Sequence, residues 1–193
     1  VRVMIPKYNC MYQKYKDMLE YITNFYMDYN GKSTYVGIFR CQWNGVTFYF
    51  IDNEYYFAGP RPYGNIYQDI EKFAFFSKAA LSALPVIGFK PDIIHCHDWQ
   101  TGLIPVYLKD KFHEGEFFRD IKSVISIHNL KFQGVWDIQT IREFANLSDY
   151  YFTSDKLEAY NAANMLKGGL VYTDRITTVS KTYAEEIKTE FYG

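Results

Sequence analysis

The chain has 193 residues, a length typical of one domain or of two small ones. Hydrophobic residues make up 48% of it and charged residues 22%, which excludes a disordered chain; the net charge of -1 gives no basic excess for binding nucleic acid or an anionic membrane. Three cysteines without a CxxC pair exclude a disulfide framework and favour a reducing, cytoplasmic location. The aromatic content of 20% is well above ordinary usage.

The first third of the chain is predicted to be rich in β-strands. Residues 35–39 and 46–51 are β-branched and aromatic runs, and Asn44-Gly45 between them is the signal of a tight hairpin. Residues 18–29 are compatible with either helix or strand. Residues 52–67 contain several Gly and Pro residues, which predict a loop.

From Gln68 onward the pattern changes to helices alternating with short apolar strands. Apolar residues follow helical spacing up to Pro85. Strands are then predicted over residues 92–96, 123–127 and 175–179, and helices over residues 100–109, 138–147, 157–172 and 183–189. Such alternation is typical of an α/β fold with a doubly wound parallel sheet, in which the hairpin near Trp43 is a decoration.

Both ends of the chain are expected to be cuts within a longer protein. The sequence has no initiator Met, opens directly in a strand-like run at Val1, and stops at residues 191–193 just after a helix-like segment.

No membrane partner is expected, because the longest apolar run, residues 79–89, is interrupted by Pro85 and falls far short of the roughly 20 residues of a membrane helix.

Polar clusters follow two of the predicted strands. His97-Asp98-Trp99 comes after the first, and His128-Asn129 follows the second. Because ligands bind at the carboxyl ends of parallel strands, these side chains are expected to meet in one cleft. Carboxylate, amide and imidazole groups beside aromatic rings suit a polyhydroxylated ligand. The simpler alternative is that Asp98 caps the following helix and His97 packs against Trp99.

A metal site and a phosphate site are the alternatives to a sugar site. Strand alternation places His95 and His97 on the same side, as two ligands of a hydrolase metal would be, but His113 and His128 complete no convincing cluster. Sequence motifs for phosphate binding are weak, since the chain has no GxGxxG motif. Gly31-Lys32-Ser33 resembles the end of a P-loop, but Tyr26 stands where the first Gly of that motif would be. Gly168-Gly169 favours close helix-to-sheet packing over a phosphate cradle.

Several stretches resemble bacterial glycogen synthases and plant starch synthases. They are KPDIIHCHDWQTGL (residues 90–103), SIHNLKFQGV (126–135), LKGGLVYTDR (166–175), TTVSKTYAEEI (177–187), and the run from NGV at residue 44 to IDNEYYF at residue 57. The resemblance covers nearly the whole chain. One departure is Lys181, where many relatives have Pro.

The resemblance implies one Rossmann-like half of a two-domain GT-B glycosyltransferase. Residues 1–193 would be its amino-terminal, acceptor-side domain, truncated at both ends, and the nucleotide-sugar-binding domain would be absent. The implied reaction transfers glucose from ADP-glucose, or UDP-glucose in some relatives, to the non-reducing end of an α-1,4-glucan. The anomeric configuration is retained, no cofactor or metal is needed, and the location is cytoplasmic, or plastid in a plant.

The resemblance also implies roles for particular residues. His128 matches a histidine whose ring and backbone carbonyl lie at the donor glucose, and Asp98 matches a carboxylate that binds hydroxyls and orders the site. The candidate residues are the catalytic His128 and Asp98 and the substrate-binding Asn129, Tyr63, Trp99 and Gln133.

Parts of the family's active site are not expected within these residues. The KxGGL loop that touches the phosphates would precede Val1, and the Arg, Lys and Glu of the second domain would follow the chain. The fragment alone is therefore expected to be inactive. The alternatives are a non-catalytic glucan-binding or regulatory module of the same fold, and a metal-dependent hydrolase built on His95 and His97.

Overall fold

The computed structural model describes residues 1–190, so the predicted break at residues 191–193 lies outside the described residues. The described residues form two compact units, the first spanning Val1–Gly88 and the second beginning at Phe89. The strands are β1 (Arg2–Pro6), β2 (Glu20–Tyr29), β3 (Lys32–Trp43), β4 (Val46–Asp52), β5 (Ile93–His97), β6 (Lys122–Ile127), β7 (Val135–Trp136), β8 (Glu158–Ala159), β9 (Ala162–Asn164) and β10 (Arg175–Thr178). The α-helices are α1 (Gln13–Lys16), α2 (Glu54–Phe57), α3 (Ile66–Val86), α4 (Leu103–Lys109), α5 (Ile138–Ala145), α6 (Met165–Tyr172) and α7 (Lys181–Glu186).

The first unit is built on a four-stranded sheet with the order β1-β4-β3-β2. The predicted hairpin is confirmed: β3 and β4 pair antiparallel, and Asn44 and Gly45 turn the chain with φ of 46° and 77°. Most of the undecided residues 18–29 form β2, which begins at Glu20 and pairs with β3 through a second turn at Asn30-Gly31. Only β1 pairs parallel in this sheet, with β4.

Two helices follow β4 in the first unit. The helix α3 begins two residues before the predicted Gln68, where the Asn65 side chain accepts a hydrogen bond from the backbone N–H of Gln68. It runs through Pro85, which lies in the last turn. The prediction of an unbroken loop before it is wrong, because Asn53 caps the short helix α2 in the same way. No helix among residues 1–190 is long and apolar enough to cross a membrane.

The second unit is built on a three-stranded parallel sheet with the order β10-β6-β5. All three strands agree with the predicted ones to within two residues. The central strand β6 pairs with β5 through His97 opposite Ser126, and with β10 through Thr177 opposite Ser126. The middle of this sheet is apolar, and Cys96 and Ile125 are almost completely buried.

The helices α4 and α6 of the second unit pack closely because glycines lie where they meet. A side chain at Gly169 would come within 2.9 Å of the Gly102 Cα and within 2.8 Å of Ile125 Cδ1 on β6. Such distances leave no room for a methyl group. The prediction that Gly168-Gly169 serves close packing is confirmed.

The prediction of one helix over residues 157–172 is wrong in its first half. The hairpin β8–β9 precedes α6, and its turn is made by Tyr160 and Asn161, which both have positive φ, 53° and 62°. Consecutive residues in that conformation match the right-handed twist of a hairpin and cannot continue a helix. The helix begins only where the Asn164 side chain accepts a hydrogen bond from the backbone N–H of Lys167.

Candidate active site

The polar clusters after β5 and β6 lie side by side, as predicted. The two strands are hydrogen-bonded neighbours, and His97, the last residue of β5, pairs with Ser126 near the end of β6. The backbone N–H of Asp98 extends this pairing by donating to the Ser126 carbonyl at 3.0 Å. Asp98 and His128 therefore lie at the same edge of the parallel sheet.

Asp98 joins the two strand ends directly. Its Oδ1 accepts hydrogen bonds from the backbone N–H groups of His128, at 2.7 Å, and Asn129, at 3.2 Å. Its side chain makes no capping hydrogen bond to the turn that follows, so the simpler explanation of Asp98 as a helix cap is wrong. The backbone at Asp98 has φ 54° and ψ -165°, a conformation that costs most residues other than glycine about 1–3 kcal/mol. The fold thus holds this carboxylate in place against local strain.

The loop that follows β6, residues 128–134, is held at further points, and we call it the β6 loop. The backbone N–H of Leu130 donates to the Tyr183 hydroxyl at 2.9 Å. The Asn129 Oδ1 accepts from the backbone N–H of Lys131 at 3.1 Å, which leaves the Asn129 amide N–H groups without a partner among the described residues. The loop therefore presents His128 and Asn129 on a backbone that is already ordered.

Gln133 fastens the far end of the β6 loop. Its amide nitrogen donates to the Leu130 carbonyl at 3.0 Å, and its amide oxygen accepts from Asn164, the capping residue of α6, at 2.5 Å. Both ends of the side chain are thus engaged within the fold. This geometry favours a positioning role over the predicted direct contact with substrate.

Trp99 lies beneath the β6 loop. The residue is only 5% exposed, and its ring faces Gly134 so closely that a Cβ there would be 2.3 Å from Trp99 Cε3. A ring covered in this way offers no face for stacking on a sugar. We therefore correct the predicted sugar-stacking role of Trp99 to one of supporting the loop from below.

Replacing Gly134 by Ala is expected to destabilise the protein by about 3 kcal/mol, because Gly134 combines φ of 64° with the contact to Trp99. Gly45→Ala is the matched control, since Gly45 has φ of 77° but no atom within 4 Å of an added Cβ. That variant should lose only about 1 kcal/mol. Urea unfolding of both variants measures the difference, and equal losses would contradict the close contact with Trp99.

The histidines form a row beside this cluster. His95 and His97 lie on the same side of β5, as predicted, with ring centroids 4.3 Å apart. His97 Nδ1 is 3.0 Å from His128 Nε2, and His95 Nε2 is 2.7 Å from the Ser126 hydroxyl. Burial lowers the pKa of His97 below its usual range, and the neighbouring His95 and His128 lower it further.

The row of histidines does not have the arrangement of a metal centre. Two of the rings direct nitrogens to other protein groups, and residues 1–190 contain no group of three or more His, Cys, Asp or Glu arranged to hold a metal ion. The thiol of Cys96, which lies between His95 and His97 in sequence, is buried, and this burial raises its pKa to about 12. The geometry therefore gives no support to the hydrolase alternative.

Tyr63 belongs to the first unit. Its ring is 56% exposed and lies 5.9 Å, centroid to centroid, from the ring of Phe73 on α3. An exposed aromatic ring on a neighbouring aromatic support is compatible with contact to a sugar. The role of Tyr63 in acceptor binding stays a prediction.

Comparison with known proteins gives the family of the chain. All 193 residues match the family model described as the starch synthase catalytic domain. The chain belongs to this family. It is 67% identical over its full length to a glycogen synthase of Lachnospira eligens and 58% identical to one of Lachnoclostridium phytofermentans, covering 40% of each relative.

A solved structure extends the comparison to the fold. The catalytic domain of Starch Synthase IV from Arabidopsis thaliana, described as bound to ADP and acarbose, matches with a TM-score of 0.90 and 29% identity. The match covers the whole chain and 40% of that structure. The predicted membership of the glycogen and starch synthase family is confirmed, and so is the α/β fold with a parallel sheet expected of one half of a GT-B enzyme.

Proposed function

We propose that the full-length protein carrying this chain transfers glucose from ADP-glucose to the non-reducing end of an α-1,4-glucan with retention of configuration. In this proposal residues 1–193 form the acceptor-side domain, and the nucleotide-sugar-binding domain lies elsewhere in the protein. The observation that carries it is the cluster of Asp98, His128 and Asn129 at the sheet edge of a starch synthase family chain.

The groups that this cluster leaves unpaired match the hydroxyls of a sugar. Asp98 Oδ2 and His128 Nδ1 have no hydrogen-bond partner among residues 1–190, and neither do the amide N–H groups of Asn129. A carboxylate oxygen and an imidazole nitrogen bind hydroxyls as acceptors, while an amide donates to their oxygens. Asp98 can therefore order the β6 loop with one oxygen and bind a hydroxyl with the other.

The donor is inferred from a relative. Starch Synthase IV was bound to ADP, which is the leaving group that ADP-glucose would release. In the proposed reaction the bond from the anomeric carbon to the diphosphate breaks and a bond to an acceptor hydroxyl oxygen forms, while the proton of that hydroxyl is released. His128 and Asp98 would hold the glucose during this exchange, and no cofactor takes part.

The isolated chain is expected to transfer no glucose, although the full-length protein does. The chain spans 40% of the length of its curated relatives, and in this proposal the groups that stabilise the departing diphosphate belong to the nucleotide-sugar-binding domain. Transfer of labelled glucose from ADP-glucose and from UDP-glucose to glycogen measures both proteins.

Circular dichroism of the isolated chain serves as the control for folding. Substantial transfer by the isolated chain would contradict the proposal that binding of the nucleotide sugar requires the second domain. A full-length protein that uses neither donor would contradict the proposed function itself, and preference for UDP-glucose would overturn the choice of donor alone.

A further inference from the structure

The proposed binding of sugar does not by itself explain the ring-to-ring contact between His97 and His128. His97 Nδ1 lies 3.0 Å from His128 Nε2, a distance typical of a hydrogen bond, and the ring centroids are 5.2 Å apart. Both residues lie at the surface rather than in the apolar core, and His97 is partly covered by its neighbours. Hydrophobic packing therefore does not explain the contact. A hydrogen bond between the two rings, with one donor and one acceptor, explains it.

We propose that His97 is a positioning residue that fixes the ring orientation and tautomer of His128. This inference rests on the proposed function for its consequence in catalysis, but the hydrogen bond itself exists without substrate. Because Nε2 of His128 is engaged by His97, Nδ1 is the ring nitrogen left for a ligand. A ring held at one nitrogen cannot flip without breaking the hydrogen bond, so the same atom always faces outward.

The direction of the hydrogen bond follows from the chemistry of neutral imidazole. Such a ring carries one N–H and one lone pair, so one of the two histidines donates and the other accepts. The Nε2–H tautomer is the more stable form of a free histidine side chain. If His128 donates its Nε2–H to Nδ1 of His97, both residues keep this favoured form. His128 Nδ1 is then an acceptor, ready to receive a hydrogen bond from a sugar hydroxyl.

The surroundings keep the accepting nitrogen of His97 free of a proton. The titratable groups that face His97 are His95, His128 and Asp98. Burial and the two histidines lower the pKa of His97, and only Asp98 opposes them. The hydrogen bond is therefore present at neutral pH, and it is lost in acid, when a proton added to Nδ1 of His97 removes the acceptor.

The backbone around His97 is held independently of its ring. The backbone N–H of His97 donates to Thr101 Oγ1 at 2.6 Å, and the Thr101 hydroxyl donates to the His97 carbonyl at 2.9 Å. Removing the imidazole should therefore leave the end of β5 in place. This makes substitution of the ring a clean test of positioning.

The decisive measurement is the tautomer of His128 in the full-length protein labelled with ¹⁵N-histidine. Two-bond ¹H–¹⁵N correlation spectra distinguish a protonated ring nitrogen from an unprotonated one. We expect Nε2 of His128 to be protonated and Nδ1 unprotonated at neutral pH. In His97→Phe, which keeps an aromatic ring without nitrogen, the signals should move to the average of a ring that exchanges freely between tautomers.

Kinetics supply the second measurement. His97→Phe should lower kcat about 10- to 100-fold, the range typical of groups that orient another active group, while KM for glycogen changes by less than about twofold. In His97→Asn the amide oxygen takes the place of Nδ1 and can accept from His128, so this variant should restore both the single tautomer and most of the turnover. His113→Phe, a change in an exposed histidine of another segment, is the control.

The outcomes separate this inference from the proposed function. Unchanged His128 signals in His97→Phe, or wild-type kcat in that variant, would overturn the positioning role. Loss of kcat in His97→Asn equal to that in His97→Phe would overturn it as well. A His128 tautomer that depends on His97 in a protein that transfers no glucose would support the hydrogen bond and contradict only the proposed function.

Discussion

Replacing His128 by Ala in the full-length enzyme is expected to lower kcat about 10²- to 10³-fold, the loss typical of removing one group that stabilises a developing charge. His128 lies at the sheet edge with Nδ1 unpaired among the described residues, and it stands on a loop fixed by Asp98. In the proposed reaction, an oxocarbenium-like centre beside His128 would lose both a hydrogen-bond partner and a well-placed dipole. Transfer of labelled glucose to glycogen gives kcat directly.

The same change should leave folding almost untouched. The side chain of His128 is exposed, and its hydrogen bond is made to another exposed histidine, so the free energy of unfolding should change by less than about 0.5 kcal/mol. His113→Ala serves as the matched control for removing an exposed imidazole. Turnover close to that of the unmodified enzyme would remove His128 from the active site.

Local signals in the sequence predict much of this fold. Asn44-Gly45 specifies the hairpin turn, and short runs rich in β-branched residues specify β5, β6 and β10, of which the central β6 is the most buried. From those strands alone, the rule that parallel strands present their carboxyl ends together brings Asp98 and His128 to one edge. The juxtaposition of these two residues therefore required no knowledge of distant contacts.

Two hairpins were not predicted by the same reasoning. The periodicity of residues 18–29 does not decide between helix and strand, and β2 is defined by its pairing with β3 through the turn at Asn30-Gly31. The hairpin β8–β9 turns through Tyr160 and Asn161, without the glycine that usually marks such a turn. Its pairing with β7 supplies what local propensity does not. In both segments the pairing with neighbouring strands defines the structure.

The supporting contacts of the site could not be found from residue type. Tyr183 lies in a helix-like stretch with nothing to single it out, yet its hydroxyl accepts the Leu130 N–H. Trp99 resembles a sugar-stacking residue in sequence but is buried against Gly134. The polarity of a residue predicts that it takes part in a site, whereas its role depends on which groups the fold places around it.

Replacing Asp98 is expected to have the second large effect. Its backbone conformation is strained, and its carboxylate anchors the β6 loop. Asp98→Ala should lower kcat about 10²-fold or more and destabilise the protein by about 2 kcal/mol, since the His128 and Asn129 N–H groups lose a charged acceptor. Alanine also remains in a backbone conformation, φ 54° and ψ -165°, that costs it free energy. Asp98→Asn keeps a neutral acceptor and should fall between the parent and the alanine variant in both measurements.

Asp98→Gly separates the two contributions. Glycine adopts the backbone conformation of Asp98 without strain, so this variant should be about 1 kcal/mol more stable than Asp98→Ala. It has no carboxylate, however, and the start of the β6 loop is as poorly held as in the alanine variant. We therefore expect stability to recover while turnover does not. If kcat instead rises together with stability from Asp98→Ala to Asp98→Gly, the carboxylate serves only to stabilise the structure. The site at the sheet edge would then consist of His128 and Asn129 without Asp98.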